Sequence, residues 1–118
     1  MNPNAVHGTG IVGEKHRGKK ILQAASMLYG IPEDKLISRS RKQRLVEVRR
    51  MCCYAMRTHT TLTYYEISDL LGGRDHSTLI HAFQSAQDYI DMYGDYRNDY
   101  ERLIEEYKSL LIEVEQND

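Results

Sequence analysis

Two adjacent glycines, Gly72 and Gly73, constrain what this chain can become more than any other pair of residues. They end one apolar-patterned segment, and the next starts at once with Arg74, Asp75, His76, Ser77 and Thr78. Glycine tolerates the left-handed backbone that stops a helix. Asp75, Ser77 and Thr78 then offer side-chain oxygens where a new helix has unpaired N–H groups. Upstream, Thr63 and Glu66 have the spacing of a capping box, which predicts a short helix running to Leu71. Helix, tight turn and second helix with a polar first turn make the pattern of a helix-turn-helix.

The other segments are patterned as helices too. Ile21, Leu22, Ala25 and Leu28 recur at helical spacing, and Gly30 supplies the stop. Pro32, followed by Glu33 and Asp34, predicts a helical turn over residues 31–36. Residues 38–42, Ser-Arg-Ser-Arg-Lys, are basic and lack an apolar anchor, the composition of a loop. A helix over residues 44–58 places Leu45, Val48, Cys52 and Ala55 on one stripe, with Arg49, Arg50 and Arg57 projecting elsewhere. The helix after the glycines continues to about Met92, with Leu79, Ala82, Phe83, Ala86 and Ile90 as its buried stripe. Ser77, His81, Gln84 and Asp88 line another of its faces. Gly94 breaks the chain, and Asp95 is placed to cap a last helix to about Val114. Tyr96, Tyr100, Leu103, Tyr107 and Leu110 face inward there, against an acidic exterior. The expected architecture is all-α, five to six helices containing a helix-turn-helix over residues 14–118. A flexible lead-in, residues 1–13, carries Gly8, Gly10 and Gly13 with no apolar period.

Composition narrows the function. No stretch approaches the roughly 18 apolar residues of a membrane span, and the polar start lacks the apolar core of a signal peptide. A cytoplasmic protein is expected. Cys52 and Cys53 are the only two cysteines. In a helix their side chains point about 100° apart, which favours small buried hydrophobes over a redox or metal role. The net charge of −1 conceals an asymmetry: residues 1–60 carry +8 and residues 61–118 carry −9. Such a division implies a polyanion-binding face with acidic surface elsewhere. Residues 13–19, GEKHRGK, fit the first seven positions of a phosphate-binding loop, but Lys20 stands where a magnesium-holding Ser or Thr is needed. His76 and His81 are five apart, about 140° around a helix, so they do not pair on one metal.

The stretch Gly72 to Ala82, GGRDHSTLIHA, resembles the signature of the C-terminal DNA-binding domain (domain IV) of the DnaA family of bacterial replication initiators. Four of its residues, Arg-Asp-His-Ser, are polar in a way that core packing would not demand. The resemblance runs over roughly residues 17–110, with the first helix, the turn, the basic loop, the Arg49-Arg50 helix and the final helix in family order. Nothing in the chain resembles the family's ATPase. The resemblance implies a Trp-repressor-like fold and binding of double-stranded DNA at short asymmetric AT-rich boxes, without catalysis or a cofactor.

It also implies roles for particular residues. Asp75, His76 and Ser77 match the positions that read bases in the major groove, with Thr78 and Tyr65 beside them. A carboxylate there suits the exposed amino group of cytosine. The rival role for Asp75 is a helix N-cap, which the signature outweighs. Arg41, flanked by Arg39, matches the arginine that the family's basic loop places in the minor groove, where narrow AT-rich steps concentrate negative potential. The alternative there is a solvated charge run. Arg49 and Arg57 match phosphate clamps, and Arg50, Arg74, His81 and Lys42 are placed to join them. The chain departs from the family at Val48, often Pro, at Arg50, commonly Gln, and at Tyr64 and Tyr65, often an apolar residue and Pro. These departures leave the basic clamp in place and fall on the outer half of the recognised sequence.

A second class of function stays open: a helical adaptor that binds a protein partner through the acidic, tyrosine-rich final helix. Met1 and the glycine-bearing lead-in favour a natural short protein over an excised domain. Origin melting and ATP switching, which the family performs through its ATPase, do not follow from this chain.

Overall fold

Seven apolar side chains of one helix, Leu45, Val48, Met51, Cys52, Cys53, Ala55 and Met56, are buried. A helix with so wide an apolar surface must be enclosed on several sides, and this one is the centre of the molecule. The structure, a computed structural model, describes residues 13–117, with side chains to residue 112. The lead-in expected at residues 1–13 therefore lies, Gly13 apart, outside the described residues. Six helices follow: α1 Glu14–Tyr29, α2 Glu33–Leu36, α3 Gln43–His59, α4 Tyr64–Leu70, α5 His76–Met92 and α6 Gly94–Asn117. Among the described residues there is no strand, and no helix is long and apolar enough to cross a membrane.

The central α3 packs against α1, α4 and α5, and most extensively against α5. The α5 stripe buries Leu79 and Ala86 and half-buries Ala82, Phe83 and Ile90. Phe83 stacks on Tyr54 with ring centroids 4.9 Å apart. The α6 helix crosses α1 and touches α5, burying Leu103, Ile104, Tyr107, Leu110 and Leu111. Each fully buried leucine of this kind stabilises the fold by about 1.5–3 kcal/mol. Only Tyr93 separates α5 from α6, so Asp95 lies inside the first turn of α6 rather than before it. The helix also runs past Val114 to Asn117.

At the other end of the chain α1 begins at Glu14, seven residues before Ile21, the first residue of its apolar stripe. Gly18, part of the stretch that resembles a phosphate loop, is a packing residue inside α1. A Cβ there would lie 2.5 Å from Leu70 Cδ1 and 2.8 Å from Leu62 Cδ1, so only glycine lets α1 and α4 approach undisturbed. Glu14 Oε1 accepts from the Thr61 amide at 2.7 Å and its hydroxyl at 2.8 Å, tying the helix start to the α3–α4 connection. Cys52 and Cys53 are fully buried free thiols, and burial pushes each up to about 12.

Candidate nucleic-acid interface

The turn of the helix-turn-helix is built first from α4. Its capping box is complete: Thr63 Oγ1 accepts from the Glu66 amide at 3.2 Å, and Glu66 Oε1 accepts from the Thr63 amide at 3.0 Å. Buried Ile67, Leu70 and Leu71 fix the roll of the helix. The chain then reverses through Gly72 and Gly73 at φ 85° and 82°, and the Gly73 amide donates to Ser68 O at 2.7 Å. A Cβ on Gly72 would stand 2.1 Å from the carbonyl oxygen of Ile37. The turn is therefore seated directly on the backbone that leaves α2. The Ser68 hydroxyl donates to the Arg74 carbonyl and closes the corner.

The first turn of α5 projects from that corner. Asp75 occupies the N-cap position with extended backbone, φ −65° and ψ 142°, yet its side chain makes no capping bond. Its carboxylate accepts only from the Ser77 hydroxyl among the described hydrogen bonds. Buried Leu79 sets the roll of α5, which leaves Asp75, His76, Ser77 and Thr78 exposed on the outer side. The His76 ring meets the Tyr65 ring edge-on, with centroids 5.7 Å apart and planes at 88°. Tyr65 is 66% exposed, so the pair stands out from the surface together.

A groove of about 790 Å³ runs between the basic loop, α3 and α5. Arg39 and Arg41 line it from the loop, Arg50 from α3, Arg74 and Asp75 from the turn, and Thr78, His81 and Ser85 from α5. The helix face turned to it continues through Ser85 rather than Gln84, a shift from the polar stripe expected from spacing. Arg50 lies over the Tyr89 ring, 5.2 Å from its centroid. Tyr89 follows Thr78, His81 and Ser85 at spacings of three and four, a signal that the sequence held. Lys42 lines a second depression with Lys35 and Arg44. Arg57, which is not among the residues lining the groove, is exposed, donates to Leu62 O at 2.9 Å and stacks 4.4 Å over the Tyr64 ring.

Arg49 also lines the groove, but it does not project freely as its helical position suggests: it is buried, 8% exposed, and its guanidinium is bound to backbone carbonyls. Nε donates to Leu36 O at 2.5 Å, Nη1 to Ser40 O at 2.6 Å and Nη2 to Ser38 O at 2.9 Å. Arg74 Nη2 donates to the same Ser38 oxygen. Burial lowers the pKa of both guanidiniums, reinforced by Arg74 beside Arg49 and by Arg39 beside Arg74.

The turn, the basic loop and the first turn of α5 all fall within residues 19–85, which match the family described as the bacterial dnaA protein helix-turn-helix. The chain belongs to the bacterial DnaA helix-turn-helix family. It is similar to the chromosomal replication initiator protein DnaA of Porphyromonas gingivalis, 30% identical over 82 residues, 70% of this chain and 17% of that protein. The same protein of Herpetosiphon aurantiacus is 34% identical over 79 residues, 67% of this chain and 17% of the relative. That of Chloroflexus aggregans is 35% identical over 71 residues, 60% of this chain and 15% of the relative. The chain thus spans only 15–17% of the length of these DnaA relatives. A helix-turn-helix is a DNA-binding element whose second helix enters the major groove; in this DnaA element the second helix is α5. Tyr89 and all of α6 lie outside residues 19–85.

Proposed function

We propose that this chain binds double-stranded DNA sequence-specifically at DnaA-box-like sites, and so serves replication initiation or its regulation. The observation that carries the proposal is Asp75: an exposed carboxylate, free of any capping bond, among arginines at the start of the second helix. Against DNA a carboxylate is repelled by phosphate and finds its partner in the amino group of cytosine. His76, Ser77, Thr78 and Tyr65 meet neighbouring base edges, and Arg41 with Arg39 enters the adjacent minor groove. Arg50, Arg57, Arg74, His81 and Lys42 contact phosphates. Residues 14–118 act as the binding unit.

Titration with a box-containing duplex and a scrambled duplex of equal length, at one salt concentration, tests this. The expected preference is about 10³-fold or more. Equal binding to both would remove the sequence-specific role. Failure to bind either would leave the adaptor role, for which the acidic, tyrosine-rich α6 is the surface to probe.

A further inference from the structure

We infer that Arg49 and Arg74 are positioning residues that join the minor-groove loop to the major-groove helix as one rigid reading head, by converging on the Ser38 carbonyl. This rests on the DNA-binding function proposed above and goes beyond it. The loop backbone is wrapped around one guanidinium: Arg49 holds the carbonyls of Leu36, Ser38 and Ser40 at 2.5, 2.9 and 2.6 Å. The loop is braced from within as well. Ser38 Oγ donates to Lys35 O at 2.7 Å and accepts from the Ser40 amide at 3.3 Å, and Ser40 Oγ accepts from the Lys42 amide at 3.3 Å.

Arg74 reaches the same Ser38 oxygen from the other side, and it immediately precedes Asp75. A second, independent contact lies one residue away, where Gly72 admits the Ile37 carbonyl against its bare Cα. The turn and the loop thus meet over two successive residues. Arg39 and Arg41 hang exposed from one side of this junction, and Asp75 and His76 from the other. A loop already ordered does not lose backbone freedom when it docks, and its two arginines arrive at a set distance from α5. Lysine at position 49 would keep the charge but lose the planar fork that addresses three carbonyls at once.

The test uses the full chain, fluorescence anisotropy and four duplexes: an intact or scrambled core, each with an AT-rich or G·C-rich flank, over a salt series. For Arg49→Lys the AT-over-GC flank ratio should fall to within about twofold of unity, while core preference and salt slope stay as in the unmodified chain. An unchanged flank ratio would overturn the inference. So would a shallower salt slope, the mark of a lost phosphate contact. Gly72→Ala disturbs the junction by another route, in the turn that also aims α5, and should lower flank preference together with core preference; full flank preference in a folded Gly72→Ala chain also overturns the inference. Hydrogen exchange on the unmodified chain decides the matter without any variant. The Ser40 and Lys42 amides should be protected before DNA is added, and exchange at open-chain rates would refute a preformed loop. If the unmodified chain fails to distinguish intact from scrambled cores, the DNA-binding proposal fails instead.

Discussion

Thr63 and Asp75 occupy the same formal position, the residue before a helix, and behave in opposite ways. Thr63 closes a reciprocal capping box with Glu66, whereas Asp75 leaves the α5 amides alone. Thr63→Ala should therefore lower stability by about 1 kcal/mol, seen as a lower melting temperature, with base preference unchanged. Asp75→Ala should leave the melting temperature in place and cost about 1–3 kcal/mol on the preferred duplex, with relaxed choice at one C·G pair. A melting loss with intact base preference would return Asp75 to the role of a cap. Arg41→Ala should weaken binding more on AT-rich flanks than on G·C-rich ones, because groove width and potential attract the guanidinium. Equal loss on both would make Arg41 a phosphate contact, and a larger effect from Arg39 would shift the register of the loop by two.

At the scale of elements, the end of α3 carries a pH-sensitive contact. His59 packs between Tyr100 and Tyr107 of α6, with ring centroids 6.3 and 6.2 Å away. Burial, with Lys108 adding repulsion, lowers its pKa from 6.5. The folded chain then takes up this proton less readily than the unfolded one, so the stability His59 contributes is present above 6.5 and is lost as pH falls. Melting temperature should drop more steeply between about pH 7 and pH 5 in the unmodified chain than in His59→Gln. Matching profiles would discard that role. Helix order, the Thr63 box, the Gly30 stop and the α5 stripe were legible because each depends on near neighbours in sequence. The start of α1 was not. Glycine in a helix interior costs roughly 1 kcal/mol, and Gly18 is explained only by Leu62 and Leu70, far along the chain. Arg49 was equally hidden. Its partners are main-chain carbonyls, which every residue owns, so no acidic residue marks it as buried.

Over the whole molecule the charge division has a geometric meaning. The half bearing +8 supplies α1, α2, the loop and α3, while α6 belongs to the half bearing −9. If about five phosphates are engaged, log K should fall against log salt with a slope of about −4 to −5. Binding indifferent to salt between about 50 and 200 mM would favour the adaptor. The buried pair Cys52 and Cys53 has a different consequence. Alkylating reagents attack the thiolate, and neither sulfur is exposed or readily ionised while the chain is folded. The two thiols are thus a native clock for opening of the core: mass-resolved labelling counts unfolding excursions with no introduced probe. A duplex that binds only the folded chain should slow that clock in proportion to occupancy.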